Sequence, residues 1–201
     1  MRRLLLGVAA PLLLVLAATL SGCTSLQGTG DKGFVTGDGA IHTVDAADRD
    51  DPVELSGTDL DGKPLDLADL RGRPAVVVVW GSWCAPCRAE APDVVAAADE
   101  LGDRARFVGI NLRNASTADA QAYVRKFGIT YPSFFSPDGK AMLQFRGTLG
   151  PRTIPAFVVL DDQGRIAASI IGSLPSKQTL VDLVDDVDSS SGQAAKQSAD
   201  G

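Results

Sequence analysis

Residues 75–101 read AVVVVWGSWCAPCRAEAPDVVAAADEL, and how this stretch folds decides the rest. Its first six residues are a continuous apolar, β-branched run, the mark of a strand buried on both faces. From Cys84 the spacing turns helical and the composition Ala-rich, up to a closing Gly102. Pro92 interrupts the helix and removes one backbone donor, but periodicity resumes at Val94, so a kink is expected rather than an end.

The strand-to-helix junction carries Cys84-Ala85-Pro86-Cys87. As a zinc half-site this pair needs two further ligands, and the domain offers no other Cys and only His42. The metal reading fails on ligand count. As a redox pair it fits, because residues i and i+3 share one helix face and approach within disulfide range. Cys84 falls at the helix N-terminus, where unpaired N–H groups and the macrodipole favour a thiolate, so it is the expected nucleophile and Cys87 the resolving thiol. No His lies beside the cysteines to stabilise the thiolate strongly, which tilts the expectation towards a reductant. Arg88 is either a second cationic influence on Cys84 or an ordinary surface residue.

Working outward, residues 53–55 and 64–67 flank the Asp61-Gly62 turn and predict a hairpin. Residues 106–111 predict a strand and 116–127 a helix, with Ser116 and Asp119 at capping-box spacing. A short strand at Phe134-Phe135, a short helix over 138–145, strands over 154–160 and 165–171, and a helix over 176–187 complete the pattern. Strands alternating with helices predict one mixed α/β sheet with helices on both faces.

The 201 residues, 45% hydrophobic, suffice for one core rather than two. A net charge of −6 and no dense Lys/Arg run argue against nucleic acid as a partner. Arg2 and Arg3 followed by the apolar run 4–20 read as an export signal, of borderline length for a membrane span. Leu20-Ser21-Gly22-Cys23 resembles the lipobox of bacterial lipoproteins, which implies cleavage before Cys23 and a lipid on its thiol. An uncleaved anchor or an ordinary secretory signal is the alternative, but it leaves an odd cysteine in an exported chain. Lipidation leaves Cys84 and Cys87 as a matched pair. A twin-arginine route is the weaker export option, since Arg2-Arg3 directly follow Met1. The expected organisation is a signal peptide over 1–22, a tether over 23–51, a domain over 52–188 and a disordered tail over 189–201. Within the tether, Phe34-Val35 are expected to pack on the domain, and His42 to be solvated or packed rather than catalytic.

Residues 80–92, WGSWCAPCRAEAP, resemble the thioredoxin-like proteins of the TlpA/ResA group, with their W-C-x-P-C-x-x-E-x-P pattern. The likeness covers about 52–188, including an inserted helix and strand near 112–135. It implies a thioredoxin-like fold, a central mixed sheet flanked by helices behind an N-terminal β-hairpin. It also implies that Pro155 is the cis-proline facing the dithiol, with Trp83, Thr153 and Ile154 at the substrate-binding edge. Glu90 matches an acidic residue that modulates cysteine ionisation in ResA-like members. At Val78, thioredoxin has a buried Asp and many TlpA-like proteins an Asn, so proton handling here shifts to Glu90 or water.

The implied function is an extracytoplasmic, membrane-tethered thiol-disulfide oxidoreductase acting as a monomer without cofactor or metal. Its expected duty is reducing the heme-binding disulfide of apocytochrome c, with electrons from a membrane thiol reductant of the CcdA type. A disulfide-forming oxidase for exported proteins is the first alternative. A peroxiredoxin-like peroxidase lacks its Pro-x-x-x-Thr-x-x-Cys surroundings here, and a copper-delivery module lacks both Cys-x-x-x-Cys and a downstream His.

Overall fold

The structure, a computed structural model, describes residues 39–199. The export signal, Cys23 and Phe34-Val35 lie outside the described residues. Six strands form one sheet: β1 (Gly39–Thr43), β4 (Ala75–Trp80), β5 (Arg106–Leu112), β6 (Ser133–Ser136), β7 (Ala156–Leu160) and β8 (Ile166–Gly172), in the order β1-β8-β7-β4-β5-β6. β4, β5 and β6 run parallel, whereas β7, β8 and β1 join antiparallel. The hairpin of β2 (Ser56–Thr58) and β3 (Pro64–Asp66) stands apart, bridged to the sheet between Asp59 and Phe134. Three α-helices follow the predicted places: α1 (Ala85–Leu101), α2 (Thr117–Phe127) and α3 (Lys177–Ala199). A 3₁₀ helix over Lys140–Phe145 stands for the predicted short helix.

The apolar run of β4 explains the layering. Its even-numbered side chains Val76, Val78 and Trp80 pack with Val94 and Leu101 of α1 and with Leu180 and Val184 of α3. Its odd-numbered Val77 and Val79 pack on the opposite face with Leu67, Ile110, Leu112, Met142 and Phe145. Val76, Val77 and Val79 expose no surface, and each contributes roughly 1.5–3 kcal/mol of burial. α1 runs on through Pro92 to Gly102, whose φ of 51° ends it.

The register then assembles one edge. Trp80 pairs with Asn111 in parallel and Val79 opposes Ala156. The loop after β4, the loop after β5 and the loop before β7 therefore emerge side by side at the C-terminal end of the parallel strands, where open α/β sheets place their ligands.

Three expectations need correction. The tether does not extend to residue 51: β1 is an edge strand along β8, with Ile41 buried in the core, and Arg49 is buried against Asp161 at 3.2 Å. Composition hid this, because a five-residue edge strand needs few apolar positions. The tail is not disordered from 189: α3 continues to Ala199. Ser190 and Ser191 donate to the Val187 carbonyl and in turn accept from Arg49 at 2.7 and 3.0 Å. Extending a formed helix avoids a new nucleation cost. The capping box does not close either, since the Ser116 hydroxyl turns to the Asp119 carboxylate at 3.4 Å and caps no backbone N–H.

Candidate active site

Cys84 is the N-cap of α1, in extended backbone (φ −76°, ψ 110°), and Pro86 falls in the first turn, where its missing N–H costs nothing. The Cys84 sulfur accepts the Cys87 N–H at 3.2 Å, as a capping oxygen would. A thiolate formed there meets the unpaired donors of the helix start. Cys84 and Cys87 are disulfide-bonded, with Cα atoms 5.3 Å apart, and each is only 4% exposed.

The Ile154–Pro155 peptide is cis. Pro155 lines a cavity of about 10 Å³ together with Cys87, Glu90, Tyr123 and Val78, at the threshold of room for one water. Residues far apart in sequence thus meet at the resolving cysteine. The Gly172 N–H occupies the Pro155 carbonyl at 3.1 Å. Ile154, half-buried, makes no backbone hydrogen bond among the described residues, so its peptide groups remain open to an added strand. The Thr153 hydroxyl accepts the Gly150 N–H at 3.0 Å.

Glu90 follows one turn after Cys87 and is buried at 9% exposure, with Oε2 lacking a hydrogen-bond partner. Burial pushes its carboxyl above the usual range. Hydrogen bonds from Ser173 and the Leu174 N–H pull it partly back, and Asp93 adds to the rise. Val78 is buried and apolar in the same cavity, leaving Glu90 as the carboxyl beside Cys87.

Sequence reasoning missed two supports. The Tyr123 hydroxyl donates to the Cys87 carbonyl at 2.7 Å while its ring stacks on Trp80 at 4.4 Å between centroids. Burial raises the Tyr123 phenol further above its ordinary value, and the Glu90 charge adds to the effect. The hydroxyl therefore stays a donor. Its one signal in the sequence is the Ala120/Tyr123 spacing on one face of α2, buried in both cases. The second support is polar: the Asn114 side chain accepts the Ser82 N–H at 3.1 Å and donates to the Ser82 hydroxyl at 2.6 Å, while Asn111 donates to Asn114 at 3.0 Å. Trp83 is half-exposed, its indole N–H donating to the Leu112 carbonyl at 3.2 Å. Gly81 permits that bond, since a Cβ there would sit 2.8 Å from the Trp83 Nε1.

His42 lies on β1 opposite Ser169, on the strand farthest from the dithiol strand in the sheet order. No group of three or more His, Cys, Asp or Glu side chains able to hold a metal occurs among the described residues. No described helix is long and apolar enough to cross a membrane.

Comparison with known proteins agrees with this geometry. The Redoxin family model matches residues 44–186. The chain is 29% identical over 125 residues to the thiol-disulfide oxidoreductase ResA of Bacillus thuringiensis, covering 60% of this chain and 68% of that protein. It is 37% identical over 103 residues to the soluble secreted antigen MPT53 of Mycobacterium tuberculosis, covering 50% of this chain and 57% of the relative. Among solved structures, a DsbF homologue from Corynebacterium diphtheriae superposes with a TM-score of 0.69 at 34% identity, over 77% of this chain and 98% of that one. A dithiol at a helix N-cap beneath a cis-proline, on a sheet shared with these oxidoreductases, makes the chain a member of the Redoxin family, in its TlpA/ResA-like branch of thiol-disulfide oxidoreductases.

Proposed function

We propose that this oxidoreductase works outside the cytoplasm, held to a membrane by a lipid on Cys23, as a disulfide reductase of the type serving cytochrome c maturation. The observation that carries the chemistry is the Cys84 sulfur at the N-cap, accepting the Cys87 N–H beside buried Glu90. The reductive direction rests on the absence of a His beside the pair, without which the reduced form gains little extra stability and the pair is a weak oxidant.

In the forward reaction a substrate segment lies along Ile154, placing its disulfide over Cys84. The Cys84 thiolate attacks one substrate sulfur; the substrate S–S bond breaks, and the departing thiolate takes a proton from water. Cys87 passes its proton to the Glu90 carboxylate or to water and attacks the Cys84 sulfur. The mixed disulfide breaks, the second substrate thiolate leaves and is protonated, and Cys84–Cys87 closes. Two electrons and two protons have passed to the substrate. A membrane thiol reductant of the CcdA type then reopens the pair, and apocytochrome c is the proposed substrate.

Insulin reduction tests the core of this: Cys84→Ser should abolish turnover, and retained activity would overturn the assignment. Cys87→Ser should trap the partner as a mixed disulfide. Redox titration tests direction. A potential below about −250 mV supports a reductase, and one near about −120 mV makes the protein a disulfide-forming oxidase instead. The soluble secreted relative favours a second reading of location, export followed by release. Membrane fractionation of the parent against Cys23→Ser separates the two, since only a lipid-held protein changes fraction on substitution.

A further inference from the structure

The three segments that meet around the dithiol, the first running into the opening turn of α1, carry positive charge only. Residues 81–88, 112–116 and 150–155 contain Arg88, Arg113 and Arg152 and no Asp or Glu, in a protein with 25 acidic and 19 basic residues. They are joined by hydrogen bonds from Trp83 to the Leu112 carbonyl, from the Ser82 N–H to Asn114, and from Arg113 Nη2 to the Pro151 carbonyl at 2.6 Å. All three arginines are exposed.

Elsewhere Arg49, Arg71, Arg73, Arg104 and Arg165 each face a carboxylate within ion-pair distance. Arg88, Arg113 and Arg152 do not, among the described residues, and neither do Arg106, Arg125 and Arg146; what sets the first three apart is their place on the segments around the dithiol. Of the acidic groups on the adjoining helices, Glu90 is buried in the cavity under the pair, Asp119 accepts from Ser116 and Asp93 lies within electrostatic range of Glu90; none forms an ion pair with the three arginines among the described residues. Arg146, on the same chain segment as Arg152, belongs to a different groove, lined by Asp50, Asp51 and Glu54. Arg113 adopts φ 53° without being glycine, a conformation that tends to persist where function requires it.

We propose that these arginines form a cationic rim selecting protein substrates whose reacting cysteine is flanked by acidic residues. The proposal rests on the exchange chemistry at Cys84. A substrate strand at Ile154 runs beside Arg152 in sequence and reaches Cys84 between Arg88 and the loop of Arg113, so carboxylates on either side of its cysteine find unpaired guanidinium partners. Because the rim is solvent-exposed, it acts mainly on encounter rate and partner choice and is screened by salt.

The test uses the reduced full-length protein and three disulfide peptides of matched length, the cysteine flanked by Asp/Glu, by Ser or by Lys. Second-order rates of Cys84 attack are followed by stopped flow at about 20 mM and about 500 mM salt. The acidic peptide is expected to outpace the basic one by about tenfold or more at low salt, with the spread collapsing at high salt. Arg152→Gln, which removes no side-chain hydrogen bond or ion pair among the described residues, should narrow the acidic-to-basic ratio, and Arg113→Gln with Arg152→Gln should narrow it further. If the Ser peptide reacts while the other two match it, or the basic peptide is faster, the rim is refuted. If the Ser peptide fails as well, the exchange chemistry fails and the proposal with it.

Discussion

Removing one oxygen from Tyr123 isolates the contact between α2 and the dithiol turn. Tyr123→Phe keeps the ring stack on Trp80 at 4.4 Å and deletes the 2.7 Å bond to the Cys87 carbonyl. That carbonyl lies in α1 and keeps its place in the helical ladder, so it is not left wholly unpaired. The loss is therefore one hydrogen bond, about 1 kcal/mol, which lowers the Tm by about 2–4 °C for a domain of this size. Tyr123→Ala removes the stack as well and opens a cavity beside Trp80, at about 3–5 kcal/mol. Thermal melts of the oxidised proteins, followed by circular dichroism, distinguish the two. Exchange rates on a neutral disulfide peptide add a second readout, since a first turn of α1 released from Tyr123 holds Cys87 less firmly. A Phe variant as unstable as the Ala variant would refute the division of energy between bond and stack. One with the parent's Tm and rate would refute the anchoring role.

The folded state holds the Glu90 proton more tightly than the unfolded chain does, so the group's contribution to stability is fully present below about pH 4 and lost as pH rises through the raised folded value. Glu90→Gln should thus gain stability relative to the parent between about pH 4 and about pH 8 in urea unfolding, and an equal difference at both ends would contradict the burial account. Gly81→Ala puts a Cβ 2.8 Å from the Trp83 Nε1; we expect altered Trp fluorescence and about tenfold slower exchange, whereas parent-like values of both would show that the loop yields freely. Arg49→Ala leaves Asp161 with Arg165 as its remaining cationic partner and frees Ser190 and Ser191, at about 1.5–3 kcal/mol for the lost charge-assisted bonds. Limited proteolysis should then cut the C-terminal turns of α3 sooner than in the parent, and an unchanged cleavage rate would remove Arg49 as the anchor of that end.

β4 and α1 were legible because their signals are local. A fully buried strand shows in its own composition, and a helix shows in its spacing and its Gly102 stop. β1 and the last turns of α3 were not, since Ile41 and Ser190 acquire their roles from β8 and Arg49, which local composition does not report. The same holds at the site. Cys84 and Cys87 declare themselves through i, i+3 geometry, and Pro155 and Glu90 through resemblance to a known pattern. Tyr123, Asn111 and Asn114 sit in segments with no motif.

By itself the sequence determined the chemistry of the pair, because a thiol at the first residue of a helix meets the same unpaired donors in any fold. Only the tertiary structure decided what surrounds it. Parallel pairing of β4 with β5 and antiparallel pairing with β7 carry Tyr123, Glu90 and cis Pro155 to one cavity at Cys87, and burial in that cavity shifts the Glu90 carboxyl. Burial and strand register are properties of the assembled sheet, so no stretch of the chain contains them.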